Sequence, residues 1–409
     1  MTTIRLPSGV RDFLPRAAAR RRALADRAVG VFEAWGYQRV ITPYFEVSDV
    51  LERGLGASSR AAAVRFVEPG TGQIVALRPD ITPQIARLVA TRLADVPPPP
   101  IRLCYEGAVT RLAGEAGQRE ILQAGIELVG APDRDADAEV LAVAWSAVRA
   151  LDLIAPRREA LPEVRIDLGH VAPASAVLAR AADPERLAAA IARKDRAGVR
   201  AASDDPLAQE LVTLWGPAPK VLERARALTW PAGVTGAFDE MTAVIEAFHA
   251  KVGEQVEVTI DLGDLRGFDY YTGMKLAVYA GGAPDAIARG GRYDELLGKY
   301  GRPMHAVGFA IDLEAVAQAQ RQAGVAAPRG PIGVAVADPA LARTLRAAGL
   351  RVVVQGDADS AWLRGAGLDA AIVGDQLRFA DDSRRSAKAA IEAAVAGDTG
   401  ALIALLQTT

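Results

Sequence analysis

The sequence predicts an α+β protein with a mostly antiparallel sheet, flanking helices, a helical insertion and a small α/β domain at the C-terminus. Long β-patterned segments before residue 170 and after residue 254 do not alternate with helices in the simple βαβ order. Residues 172–250 are rich in alanine and show no β pattern, which indicates an inserted helical module. Beyond residue 325, short strands and helices alternate, as they do in a small α/β domain.

The first elements along the chain are a helix, a strand and a hairpin. Residues 15–35 carry apolar side chains at helical spacing, with a proline at the start and Gly36 after the end. A strand is predicted at 39–43. Residues 64–69 and 73–79 are β-patterned and joined by Gly-Thr-Gly, which predicts a hairpin.

The later elements follow from the same signals. Residues 81–94 are predicted to form a helix, with Thr82 as its cap and Pro83 in the first turn. The other predictions are strands at 101–111, 119–130 and 163–169, a helix over 135–153, strands at 255–262 and 274–280, an apolar run at 305–316 and a linker over 319–331.

The composition excludes several classes of protein. Among 409 residues, half are hydrophobic and 24% charged, which is typical of a globular chain, and the net charge of −2 gives no reason to expect a nucleic-acid partner. One cysteine, Cys104, and three histidines exclude a disulfide framework and make a metal site unexpected. No run approaches the roughly 18 apolar residues of a membrane span, and the N-terminus has no apolar leader, so we expect a cytoplasmic protein with no membrane partner.

The stretch DLRGFDYYTG, residues 264–273, places a cation and two phenols between glycines and between two predicted strands. One interpretation is a hairpin turn whose tyrosines cover the edge of a core. The other is a small-molecule pocket to which Arg266, Tyr270 and Tyr271 contribute. The stretch itself leaves both interpretations open.

Other polar side chains interrupt the predicted sheet where a pocket would need them. Asp80 and Thr82 follow a strand, and Arg111 ends one. Gln123 and Glu127 are four residues apart on one strand, so they share a face. Together with the arginine and tyrosines of the DLRGFDYYTG stretch, these groups match a zwitterion, because carboxylates bind an ammonium and guanidiniums bind a carboxylate.

Four of these residues also have a simpler interpretation. Asp80 would then only cap the following helix, Gln123 and Glu127 would form the solvated face of a half-exposed strand, and Arg111 would be a surface charge. Spacing along the chain does not show whether the side chains converge.

The motifs resemble those of histidyl-tRNA synthetase, a class II aminoacyl-tRNA synthetase, over essentially the whole chain. The matching stretches are LPSGVRDFLP, ALRPDIT, RLCYEGAVTR, LQAGIELVG, RGFDYYTG, GGRYDELL and AVGFAIDLEAV. The resemblance implies a six-stranded antiparallel sheet flanked by helices within residues 1–325, a helical insertion at about 172–250, and a C-terminal α/β domain at 326–409.

The resemblance also implies roles for the pocket residues. Asp80, Thr82 and Gln123 would bind the amino group of histidine. Arg266 would bind its carboxylate, and Glu127 and Tyr271 would address the ring nitrogens. The synthetases usually carry glutamate in place of Asp80. The full predicted histidine-binding set is Asp80, Thr82, Arg111, Gln123, Glu127, Arg266, Tyr270 and Tyr271.

The departures from the synthetase pattern fall on the side that binds ATP. Ala113 stands where the synthetases have a glutamate, in a loop that is shortened and has lost most of its basic residues. Ala315 stands where they have an arginine that contacts the nucleotide. This combination resembles the regulatory subunits of ATP phosphoribosyltransferase, synthetase paralogues that act in histidine biosynthesis.

The resemblance to regulatory subunits implies a non-catalytic chain with no cofactor. Its expected partners are a short-form ATP phosphoribosyltransferase catalytic subunit and L-histidine, with a homodimer inside a hetero-oligomer. The residues leave two alternatives to this interpretation open. One is a working histidyl-tRNA synthetase with an unusual ATP loop, and the other is a histidine-sensing paralogue that serves another complex.

Overall fold

The computed structural model describes residues 5–93, 100–112, 117–154, 164–267, 270–326 and 331–407. The chain divides into two compact units, Met1–Ala326 and Ala327–Thr409.

The first unit contains twelve helices and twelve strands among its described residues. The helices are α1 Pro15–Ala34, α2 Ser48–Glu52, α3 Ala57–Ala62, α4 Thr82–Thr91, α5 Arg134–Ala150, α6 Val171–Leu178, α7 Pro184–Ala192, α8 Arg196–Ala202, α9 Pro206–Leu211, α10 Ala218–Arg226, α11 Val234–Val252 and α12 Leu313–Gln322. The strands are β1 Gln38–Arg39, β2 Phe45–Val47, β3 Arg65–Val67, β4 Ile74–Leu77, β5 Ile101–Thr110, β6 Glu120–Val129, β7 Val164–His170, β8 Trp215–Pro217, β9 Val258–Asp261, β10 Met274–Ala280, β11 Ala288–Arg292 and β12 Ala306–Asp312.

The large sheet has nine strands in the order β1-β5-β6-β12-β11-β10-β7-β9-β8. Its central six, from β5 to β7, are antiparallel to their neighbours. Strand β1 joins one edge in parallel to β5, and β9 joins the other in parallel to β7. The predicted number of strands, six, was therefore too small, because the sheet has nine. The strand predicted at 39–43 corresponds to β1, which lies earlier, at Gln38–Arg39. The edge strand β8 was missed, because its three residues are too few to show an alternating pattern.

The predicted hairpin is confirmed: β3 and β4 pair antiparallel, and β2 completes a separate three-stranded sheet. Two other predictions need correction. Residues 172–250 are not wholly helical, because β8 lies among their helices. The predicted linker at 319–331 begins too early, because α12 continues to Gln322 with Ala319 and Gln320 buried.

The two faces of the large sheet carry different residues of β6. Ala124, Ile126 and Leu128 belong to the main hydrophobic core, which also includes residues of α1, α5 and α12. In this core Phe32 of α1 meets Phe309 of β12 edge-on, with ring centroids 5.8 Å apart. Because side chains alternate along a strand, the odd-numbered residues of β6 point to the opposite face.

The second unit is a five-stranded sheet with four helices among its described residues. The elements are β13 Gly333–Val336, α13 Pro339–Ala347, β14 Arg351–Val354, α14 Ser360–Ala366, β15 Ala370–Val373, β16 Gln376–Phe379, β17 Arg384–Ser386, α15 Lys388–Val395 and α16 Gly400–Gln407. The strand order is β14-β13-β15-β16-β17, and β13 is parallel to both its neighbours. The prediction of a small C-terminal α/β fold is confirmed.

Within the described ranges, none of the helices has the length and apolar character needed to cross a membrane. The same residues contain no cluster of three or more histidine, cysteine or acidic side chains able to hold a metal ion.

Candidate functional site

A cavity of about 220 Å³ opens on the face of the large sheet that carries Gln123. Six of the eight predicted binding residues line it: Asp80, Thr82, Arg111, Gln123, Tyr270 and Tyr271. The side chains from α4, β5, β6 and the DLRGFDYYTG stretch therefore do converge, although they are up to 191 residues apart in the chain.

The other two predicted residues lie beside this cavity. Glu127 is buried behind Thr82, whose hydroxyl donates to Glu127 Oε1 at 2.7 Å. Arg266 lines a neighbouring cavity of about 110 Å³, which shares Tyr271, Arg289 and Gly290 with the first.

Glu127 is the most deeply buried charged group of the site, with 2% of its surface exposed. Its Oε1 accepts from Thr82 and, at 3.3 Å, from the Tyr105 hydroxyl, whereas Oε2 has no partner among the described residues. Burial raises the pKa of Glu127 well above its usual range. Gly308 of β12 makes room for this carboxylate, since a Cβ at that position would lie 2.0 Å from Oε2.

Three more buried polar atoms near the cavity have no hydrogen-bond partner among the described residues. They are Gln123 Oε1 and the hydroxyl oxygens of Tyr270 and Tyr293. Leaving a buried polar group unpaired typically costs about 1–3 kcal/mol. Since these three residues line one cavity and Glu127 Oε2 lies beside it, the arrangement favours a polar ligand that would pair with these atoms.

Asp80 and Thr82 tie the start of α4 to the cavity. Asp80 Oδ1 accepts from the backbone N–H of Ile81 at 2.7 Å and of Thr82 at 3.3 Å, so this carboxylate both orders the turn and lines the cavity. The prediction that Thr82 caps the helix was wrong. Thr82 is the first helical residue, and its hydroxyl is directed to Glu127 instead.

Arg111 is held at the cavity wall, because its Nε donates to the carbonyl of Pro79 at 2.9 Å. Arg111 is therefore more than a surface charge without contacts.

Of the two alanines on the ATP side, Ala113 lies outside the described residues. Ala315 is buried in the first turn of α12, where a methyl group offers neither charge nor a side-chain hydrogen bond.

The DLRGFDYYTG stretch is not a hairpin turn, because β7 lies between β9 and β10 in the sheet. Phe268 and Asp269 lie outside the described residues. Gly267 has φ +67°, and a Cβ there would lie 2.6 Å from the Tyr271 ring, so a residue with a side chain would displace that tyrosine.

Arg266 is half-exposed and is held both by its own segment and by strand β10. Its Nε donates to Asp264 Oδ1 at 2.8 Å, and its Nη2 donates to the Tyr279 hydroxyl at 2.6 Å. Lys275 is buried next to this segment, and its ammonium donates to the backbone carbonyls of Asp264 and Arg266. The backbone of the stretch is therefore anchored from below while the guanidinium stays accessible.

Sequence reasoning missed three polar side chains that line the cavity, those of Arg289, Tyr293 and Asp312. Tyr293 belongs to the GGRYDELL motif, so its position in a specific motif was an available signal. Asp312 pairs with Gln123 across β12 and β6, a register that the sequence does not reveal.

The comparisons with known proteins agree with this geometry. A family profile described as histidyl-tRNA synthetase matches residues 9–316. A crystal structure of a histidyl-tRNA synthetase from Nostoc superposes with a TM-score of 0.77 at 20% identity, covering 97% of this chain and 99% of that one, and supports the fold alone. Fold and site thus define a class II synthetase-like protein of the histidyl type.

The curated relatives show which family within this class the chain resembles. The ATP phosphoribosyltransferase regulatory subunit of Anaeromyxobacter dehalogenans is 43% identical over 338 residues, which cover 79% of this chain and 93% of the relative. A Bacillus halodurans structure described as an ATP phosphoribosyltransferase regulatory subunit/histidyl-tRNA synthetase is 26% identical, with a TM-score of 0.76 over 91% of this chain and 98% of that one. The chain belongs to the family of ATP phosphoribosyltransferase regulatory subunits. The predictions of this family and of a regulatory, non-catalytic subunit are confirmed.

Proposed function

We propose that this regulatory subunit senses L-histidine in the cavity described above and conveys its occupancy to a short-form ATP phosphoribosyltransferase catalytic subunit. The pathway-level role is feedback control of histidine biosynthesis. The observation that carries the proposal is a set of four buried polar atoms that have no partner among the described residues. Gln123 Oε1 and the hydroxyls of Tyr270 and Tyr293 belong to residues that line the cavity, and Glu127 Oε2 lies beside it.

The chemistry of the lining suits histidine better than an apolar amino acid. Glu127 and Tyr271 would address the two ring nitrogens. Asp80 and Gln123 would accept from the ammonium, and Arg266 would bind the carboxylate from the neighbouring cavity. A leucine or phenylalanine side chain would leave the buried carboxylate unpaired, which is the strongest form of discrimination available to such a site.

We propose a homodimer within the hetero-oligomer, as the resemblance implies. The three-stranded sheet supports it, because Phe45 and Phe66 meet edge-on at 5.9 Å and are 47% and 40% exposed, beside Val67 and Ile74 at 62% and 56%. Contiguous exposed apolar surface of this kind marks an interaction site. Light scattering of the purified chain that reported a monomer would contradict the proposal.

Feedback by histidine requires that histidine bind one state of the assembly more tightly than another. We therefore expect Arg266→Ala to leave activity without histidine in place and to weaken inhibition by histidine. The measurement is a histidine dose–response of the reconstituted complex with its catalytic subunit.

The matched control for this experiment is Arg224→Ala. Arg224 is also half-exposed and bound to an acid, Glu210, but it lies on helix α10 away from the cavity. A complex with Arg266→Ala that stayed as sensitive to histidine as the Arg224→Ala complex would show that Arg266 has only a structural role.

The second candidate function is aminoacylation, favoured by the synthetase profile over residues 9–316. Activation of an amino acid must stabilise negative charge developing on ATP, and Ala315 offers no group for this. We expect no histidine-dependent exchange between ATP and pyrophosphate by the purified chain, measured with radiolabelled pyrophosphate. Robust exchange would replace the regulatory proposal with the catalytic one.

A further inference from the structure

The end of strand β12 places a carboxylate in the cavity wall, at the residue before helix α12. Asp312 lines the cavity together with Arg111 and Gln123. It is the direct partner of Gln123 in the antiparallel pair of β12 and β6. Directly opposed residues carry their side chains on the same face of a sheet, so the register itself directs Asp312 to the ligand side.

Asp312 also occupies the start of α12. Its Oδ1 accepts from the backbone N–H of Glu314 at 2.8 Å and of Ala315 at 2.9 Å. The free N–H groups at the start of a helix attract anions, and an arginine nearby strengthens that attraction. Here the N–H groups that a phosphate would seek are already bonded to a carboxylate of the chain.

The charges at this end of the cavity oppose each other. Burial raises the pKa of the Asp312 carboxyl, while the N–H groups it accepts from and the positive charge of Arg111 act in the opposite direction. Asp312 and Arg111 line the same cavity, so the carboxylate reduces the net positive potential of this cavity. A phosphate approaching Arg111 would meet the carboxylate in a partly desolvated cavity, where like charges repel more strongly than in water.

We infer that Asp312 is a specificity residue that excludes phosphate-bearing ligands from the cavity. This inference rests on the proposed function, because it explains why a cavity with the synthetase lining would take an amino acid and not a nucleotide. Histidine is tolerated because a zwitterion can turn its ammonium, and not its carboxylate, toward Asp312.

The test uses inorganic pyrophosphate as the probe, because it carries the phosphate charge without an adenine that would need further contacts. Asp312→Asn removes the charge and keeps an oxygen that can cap α12, and Asp312→Ser provides a second cap-competent variant. We expect both variants to bind pyrophosphate at least about tenfold more tightly than the parent in low-salt calorimetry at pH 8, following the removal of one close like charge. Adding Arg111→Ala to Asp312→Asn should abolish the gain.

The matched control is Asp338→Asn. Asp338 caps α13 in the second unit by accepting from the N–H groups of Ala340 and Leu341. Asp338→Asn therefore removes one negative charge and changes one helix cap, as Asp312→Asn does. The inference is overturned if neither Asp312 variant gains pyrophosphate binding over the parent, or if Asp338→Asn gains as much. Failure of L-histidine to bind the parent would instead refute the proposed function, while the pyrophosphate comparison would still decide the role of Asp312.

Discussion

Replacing Arg292 by methionine is expected to lower the free energy of unfolding by about 3–5 kcal/mol, the usual cost of breaking a buried ion pair. Arg292 of the GGRYDELL motif is 6% exposed, and Asp137 of α5 is fully buried. The guanidinium donates to Asp137 Oδ2 at 2.5 Å and to the carbonyls of Ala131 and Asp133. Methionine has a similar length but leaves the Asp137 charge without its arginine partner and removes the donor to the Ala131 carbonyl.

Urea denaturation followed by circular dichroism measures this effect. Arg224→Met, which removes a half-exposed arginine, should change stability far less. Adding Asp137→Leu to Arg292→Met should recover part of the loss, because the uncompensated charge is then gone. If Arg292→Met proved no more costly than Arg224→Met, the motif arginine would not hold α5 to the sheet.

Replacing Glu127 by alanine is expected to weaken histidine binding ten- to a hundredfold. The change removes the buried acceptor proposed for an imidazole N–H, and loss of a hydrogen bond to a charged group costs about 1.5–3 kcal/mol. The fold should persist, since Glu127 Oε2 is already unpaired among the described residues and its removal relieves a desolvated charge. Calorimetric titration with L-histidine measures the affinity, and thermal melting checks the fold.

The control for Glu127→Ala is Glu106→Ala. Glu106 lies on the adjacent strand β5, where it binds Arg39 at 2.9 Å and does not line the cavity. Its loss should leave histidine affinity unchanged. Equal affinities for the parent and Glu127→Ala would place histidine at another site.

Helices α2, α3 and α12 and strand β11 were not predicted from the sequence. Local patterns were enough to predict helices α1, α4 and α5, strands β5, β6, β7, β9 and β10, and the shared face of Gln123 and Glu127. These features depend on periods of 3.6 and 2 residues, which are set by neighbouring residues and are visible in any short window. The family motifs added which polar residues to group together, and six of the eight line one cavity.

The sequence by itself determined the class of protein, the α+β composition and six of the residues that line the cavity. Only the tertiary structure decided that β7 separates β9 from β10, that Arg266 lines an adjoining cavity, and that Asp312 lines the same cavity as Gln123. These features depend on register between strands far apart in the chain. Likewise, Glu127 has an oxygen without a partner in the described part of the chain, and its pKa is raised because the packed structure excludes water from it. Pairing and desolvation arise from contacts between distant segments, and no local window of sequence contains both partners.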